Sequence, residues 1–254
     1  MVRVITILAA LVVLGYLALC AALFAFQRSL IYFPQPRSMG ADATTFHLPV
    51  AGAELVISAR QTAGPKAIVY FGGNAEDVSS SLPSWSQAFP AHAIYMLHYR
   101  GYGGSTGSPT EETIQGDAQA LFDLVRQKHP DIAVVGRSLG SGVAIRLASQ
   151  RAVSRLVLVT PYDSLQDLAA KQFPYFPVRW LLIDKFESWK YAPQVTAPTL
   201  LIAAEQDEVI PKWSTEQLRT RFKHGAARLE VLPGTSHNTI SLSPGYLKLL
   251  QSAL

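Results

Sequence analysis

The chain has 254 residues, 49% of them apolar, and a formal net charge of +4 with no clustered run of Lys or Arg. Such a chain can bury a large core and is not disordered, and its mild, scattered charge leaves no footprint for nucleic acid. Cys20 is the single cysteine, so no internal disulfide forms, and no Cys/His pattern with metal-ligand spacing occurs.

From Val4 to Phe26 the chain is unbroken apolar sequence between Arg3 and Gln27-Arg28, with Thr6 its one clearly polar member. About 20 such residues cross a bilayer as a helix, and Tyr32-Phe33 just beyond suit an interfacial belt. A cleaved signal peptide is the competing reading. The run is longer than an ordinary signal core, a single Arg makes a thin leader, and Ala18-Leu19-Cys20 is a weak cleavage site. Residues 1–27 are therefore expected to stay as a single-pass membrane anchor. Arg3 and the amino terminus compete with Arg28 and Arg37 beyond the run, so charge does not assign an orientation.

Residues 28–44 read as a linker carrying Pro34 and Pro36, and 45–254 as one domain. Thr45 to Pro49 and Ala53 to Ala59 flank Ala51-Gly52 as an opening hairpin. Strands and helices then alternate. Ala67 to Phe71 is a strand, and a helix lies near Ser79 to Phe89. Ala93 to His98 is a strand, followed by a helix from Pro109 to Lys128 with Ser108 as N-cap and Glu111 closing a capping box. Ile132 to Gly136, Arg155 to Thr160, Thr199 to Ala204 and Arg228 to Leu232 are further strands. Helices follow near Lys212 to Phe222 and from Pro244 to Leu254. This rhythm predicts an α/β fold whose mostly parallel sheet is covered by helices on both faces. Residues 161–193 break the rhythm with aromatic sequence such as Phe173-Pro174-Tyr175-Phe176-Pro177. They read either as a small cap insert or as ordinary core packing.

The most informative stretch is Gly136-Arg137-Ser138-Leu139-Gly140. It follows the apolar run Ile132 to Val135 and leads straight into the helical sequence Gly142 to Ala148. A one-residue turn between strand and helix strains the serine and thrusts its hydroxyl out at the sheet edge, while glycines two before and two after permit the close approach. That is a nucleophile elbow, and it points to a serine hydrolase. Gly103-Gly104-Ser105-Thr106-Gly107 repeats the motif. Its strand ends several residues early and its helix opens late, so Ser105 falls in a loop.

A serine nucleophile needs a base and an acid that orients it, and on this kind of fold they follow in the order Ser, acid, His on later loops. His237 directly follows the last predicted strand. His224 precedes that strand, and His47, His92, His98 and His129 fall before or far from the elbow; these read as surface or core residues. Asp207 follows the Thr199 to Ala204 strand and fits the acid position. Asp163, after the strand before it, is the alternative, and Glu205 and Glu208 read as solvent-facing. Oxyanion donors are expected from the N–H of Leu139, at a helix start, and from Asn74 in Gly72-Gly73-Asn74-Ala75.

Phe71 to Ala75, Tyr99 to Ser105, the elbow, Asp207 to Pro211 and Gly234 to Asn238 occur in the order found in α/β-hydrolases. With the anchor and Gln27-Arg28-Ser29-Leu30-Ile31-Tyr32-Phe33-Pro34, the chain resembles the Bem46-like group. These are membrane-anchored serine hydrolases that include relatives of depalmitoylating thioesterases. The resemblance covers Gln27 to the C-terminus, and it implies the α/β-hydrolase fold. One departure is Gly72-Gly73-Asn74 where many relatives carry His-Gly-Asn. The expectation is a hydrolase of esters or thioesters with Ser138, His237 and Asp207 as triad, no cofactor, and a small-molecule or lipid-like acyl substrate. Amide cleavage and a non-catalytic binding or scaffold role are the alternatives.

Overall fold

A computed structural model describes residues 1–39 and 44–254; the last linker positions, through Ala43, lie outside the described residues. In chain order its elements are α1 (Val2–Ile31), β1 (Thr45–Val50), β2 (Ala53–Arg60) and β3 (Lys66–Phe71). A 3-10 turn at Val78–Ser81 leads into α2 (Leu82–Ala88). Then come β4 (Ala93–Leu97), α3 (Glu111–Arg126), β5 (Asp131–Arg137), α4 (Leu139–Gln150) and β6 (Arg155–Val159). Three short helices follow, α5 (Leu165–Gln172), α6 (Val178–Leu181) and α7 (Ser188–Tyr191). The chain closes with β7 (Thr199–Gln206), α8 (Lys212–Arg221), β8 (Ala227–Ser236) and α9 (Pro244–Ala253).

Among the described residues the strands form one sheet in the order β1-β2-β4-β3-β5-β6-β7-β8. β1 and β2 are antiparallel to their neighbours and the remaining pairs are parallel. Side chains alternate along each strand, so every strand feeds two cores. In β3, Ala67, Val69 and Phe71 pack with α3 and α4 on one face, while Ile68 and Tyr70 pack with α2 and α9 on the other. The chain runs from β3 outward to β4 and then back across to β5, so β3 and β5 are adjacent strands whose outgoing connections part in opposite directions. A crevice opens at such a reversal, beyond the carboxyl ends of the strands.

Among the boundaries that differ from the sequence reading, three bear on how the site is assembled. α1 does not stop at residue 27 but continues to Ile31, because Ile31 and Tyr32 are buried in the core and Arg28 is paired with Asp184. The following linker is laid against the domain, with Phe33 N–H donating to Asn74 O at 3.0 Å and Gly103 N–H to Gln35 O at 2.9 Å. α3 opens at Glu111, not Pro109. Its cap is Thr110, whose hydroxyl accepts from Thr113 N–H while Thr113 returns the bond to the Thr110 backbone. Glu111 turns away to accept from the N–H groups of Lys185 and Phe186. β8 extends four residues past Leu232, pairing Ser236 with Gln206 across a bulge after Ala204.

Residues 161–193 divide between two environments. Leu165, Leu168, Phe173 and Phe176 overhang the carboxyl edge of the sheet, whereas Phe186 and Ala192 are buried in the main core.

Candidate active site

β5 ends in the turn that exposes Ser138. Its backbone stands at φ 49°, ψ −117°, a left-handed conformation that strains any residue with a Cβ and marks functional turns. The flanking glycines are sterically required. A Cβ at Gly136 would come within 2.3 Å of Gly140 O, and one at Gly140 within 2.1 Å of Phe71 O. Ser105, by contrast, is a buried loop residue, its hydroxyl donating to His98 O and accepting from Val56 N–H, both at 2.8 Å.

The pairing of β5 to β8 in parallel carries their outgoing loops to the same edge as Ser138. His237 Nε2 lies 3.0 Å from Ser138 Oγ, and its Nδ1 lies 3.0 Å from both carboxylate oxygens of Asp207. With Nδ1–H donating to Asp207, Nε2 is left as the acceptor for the serine hydroxyl. Asp207 is itself fixed by the N–H groups of Val209 and Ile210, at 3.0 and 2.7 Å. Both imidazole and carboxylate side chains are buried. A hydroxyl, a base and an orienting acid in this chain of contacts can carry nucleophilic acyl transfer.

Asp163 stands elsewhere. Its carboxylate is 3.4 Å from Arg221 Nε, and burial pushes it above the usual carboxylate range while Arg221 opposes the shift. Glu205 and Glu208 are exposed, as read, yet both act on the histidine loop. Glu205 accepts from Gly234 N–H and Glu208 from His237 N–H. The other histidines fall outside this chain of contacts. His98 is buried against Ser58, His129 lies between Tyr95 and Gly64 O, and His47 pairs with exposed Glu54.

Asn74 and Leu139 line the same cavity as Ser138. The Asn74 carboxamide donates to Ile31 O, and the Asn74 backbone carbonyl accepts from Tyr102 Oη, which fixes the loop. Gly73 packs against the serine, its virtual Cβ 3.7 Å from Ser138 Cβ. At Gly72 a Cβ would collide with Val78 at 2.5 Å, so in this chain that space belongs to Val78 and a side chain like that of histidine has no room.

Two residues that sequence reasoning passed over tie these loops together. Glu76 is partly buried and accepts from Tyr70 Oη at 2.7 Å, Gly73 N–H at 2.8 Å and Arg137 Nη1 at 3.2 Å. Arg137 Nη2 then donates to His237 O at 3.3 Å. The signal was present as opposite charges in two otherwise uncharged, glycine-bearing motifs that the fold must bring to one edge. Among the described residues no group of three or more His, Cys, Asp or Glu side chains is placed to hold a metal ion.

Above Ser138 a cavity of about 680 Å³ is enclosed by the end of α1, the α5–α6 segment and the Asp207–Pro211 loop. Its walls are mostly aliphatic and aromatic, a composition that suits an apolar ligand.

A strained serine at a strand-to-helix turn, at the switch of a mostly parallel sheet, defines the class to which this molecule is assigned by fold. The chain belongs to the α/β-hydrolase superfamily. The family model for the alpha/beta hydrolase fold matches residues 66–182. An uncharacterized protein of Mycobacterium tuberculosis is 34% identical over 88% of this chain and 84% of its own length. Protein bem46 of Schizosaccharomyces pombe is 26% identical over 96% of this chain and 89% of its own, in line with the Bem46-like resemblance. Among solved structures, the Pyrococcus furiosus esterase Pf2001 superposes with a TM-score of 0.67 at 20% identity, covering 87% of this chain and 97% of that one.

Proposed function

We propose that the protein is a membrane-anchored serine hydrolase that cleaves carboxylic esters or thioesters through an acyl-enzyme. The observation that carries this reading is the unbroken contact chain from Ser138 Oγ through His237 to Asp207 beneath an apolar cavity. Ser138 Oγ attacks the acyl carbon as His237 Nε2 takes its proton. The negative charge that develops on the carbonyl oxygen is met by the N–H groups of Leu139 and Asn74, the first at the positive end of α4. Collapse breaks the bond to the alkoxide or thiolate, which leaves with the proton from His237. Water then repeats the sequence on the acyl-enzyme and frees the acid, with Asp207 holding the imidazole throughout. The predominantly apolar walls favour an acyl substituent over a peptide. α1 supplies a helix long and apolar enough to cross a membrane, and bem46 is a relative over most of the chain.

A fluorophosphonate probe tests the reading directly. The purified protein is expected to be labelled at Ser138, with labelling lost in Ser138→Ala. An unlabelled wild-type protein that binds acyl ligands would instead indicate a binding role for the fold.

A further inference from the structure

Resting on the nucleophilic role proposed for Ser138, we infer that the end of α1 is a wall of the acyl pocket, and that the pocket draws a single long acyl chain directly from the bilayer beside it. Leu23, Gln27, Leu30 and Ile31 line the cavity. Their spacing of four, three and one places them on one face of the helix. The polar member of the set is neutralised. The Gln27 amide donates to Phe24 O and Leu181 O, and its oxygen accepts from Ile183 N–H, so it offers the cavity its methylenes. Leu30, Phe173 and Val209 line the cavity yet are half exposed, giving the mouth an apolar rim.

The geometry of α1 sets the depth of that mouth. Contact with the cap begins at Tyr16, which stacks on Phe176 with ring centres 5.9 Å apart and donates to Tyr175 O at 2.9 Å. Between Arg3, where the apolar run ends, and that contact lie 12 residues, Val4 to Gly15, roughly 18 Å of helix at 1.5 Å per residue. The hydrocarbon layer is about 30 Å thick. A membrane-spanning α1 must therefore sink past Tyr16, carrying the cap edge roughly 10 Å into the leaflet. Two aromatics on that edge lack protein cover, Tyr175 at 85% and Trp180 at 88% exposure, and Trp180, next to the Leu181 that meets Gln27, lies at interface depth. Leu23, roughly 28 Å along the helix from Val4, then lies at the hydrocarbon boundary with Leu30 in the headgroup layer, and an acyl chain enters the cavity between Leu23 and Phe173.

The test uses full-length protein in phosphatidylcholine vesicles and p-nitrophenyl esters from butyrate to palmitate. For the wild type, kcat/KM is expected to rise by up to about fourfold per added methylene until the cavity is filled. Leu23→Trp and Leu30→Trp, which put an indole into the wall, are expected to lower the palmitate-to-butyrate ratio by about tenfold or more. Leu11→Trp, on the same helix but clear of the cap, should leave that ratio as it is. Leu30 is exposed enough to accept the larger side chain without unfolding. In vesicles of dibrominated phosphatidylcholine, the bromine quenching of tryptophan fluorescence should fall in Trp180→Phe. Unmoved ratios in both wall variants, with fluorophosphonate labelling intact, overturn the wall. Quenching unaffected by Trp180→Phe overturns entry from the bilayer, leaving acyl donors from solution. Loss of labelling in the wild type strikes at the nucleophile itself, and so is distinguishable from either.

Discussion

Arg137 Nη2 donates to the carbonyl oxygen of His237 at 3.3 Å, so the residue before the serine holds the backbone of the residue proposed as its base. Glu76 grips the same guanidinium and the Gly73 N–H in the loop proposed to hold the oxyanion. Glu76→Gln is expected to lower kcat by up to about 100-fold, since displacements near 1 Å cost that much, with KM little changed. Steady-state kinetics on a soluble ester and the rate of fluorophosphonate labelling should fall together. An effect confined to thermal stability would reduce Glu76 to a structural residue.

Ser138→Ala should abolish probe labelling and reduce turnover by about 10³-fold or more. Ser105→Ala should keep labelling but lose roughly 1–3 kcal/mol of stability, because it strands the buried Val56 N–H. Labelling followed by a thermal melt separates the two variants.

Asp207→Asn is expected to preserve the fold and cut turnover by about 10³ to 10⁴-fold by favouring the wrong imidazole tautomer. Asp163→Asn should act mainly on stability, leaving Arg221 without its acidic partner. Kinetics on variants with matched melts decide the ranking, and a larger loss of turnover in Asp163→Asn would reassign the acid.

Burial pushes the His98 imidazole down to about 4 from an ordinary value of 6.5. Between those values the unfolded chain binds more protons than the folded one, so stability rises with pH across the window. As pH falls from 6.5 to about 4 the contribution is lost, on the order of 3 kcal/mol, with no further loss below. His98→Gln, which retains a polar partner for Ser58, should flatten this slope. Thermal unfolding of both proteins between pH 7 and pH 4 provides the measurement.

The anchor should persist in the mature protein. Membrane fractions are expected to retain it through alkaline carbonate extraction, and intact mass should show no loss of the first twenty or so residues. A processed species of that smaller mass would overturn this.

The elbow and the motifs around it were legible because each couples a glycine requirement to a strand end, and both can be read locally. The contact of Asp207 with His237 was anticipated from the placement of each residue just after a predicted strand, since chain order admits Asp163 as well. The start of α3 was misjudged because Ser108, Pro109 and Glu111 together imitate a capping box, whereas tertiary contacts commit Glu111 to the cap. The extra length of β8 was hidden by Pro233 and Gly234, which read as a turn but lie within its register. Glu76 and Arg137 escaped notice because their partnership spans 61 positions and exists only at the sheet edge. The docking of α1 was invisible for another reason: hydropathy shows that a segment is apolar but not which face meets protein.

Asp184 receives Arg28 Nε and Tyr32 Oη, each at 3.0 Å, while Gln27 serves Leu181 and Ile183. The usual modularity of signal-anchor proteins, in which one hydrophobic leader substitutes for another during gene recombination, is therefore forfeited here. A foreign leader would have to bring glutamine, arginine and tyrosine in the same helical phase to inherit the joint. Descent should thus have kept this leader and the domain behind it together, exchanged as a pair or not at all.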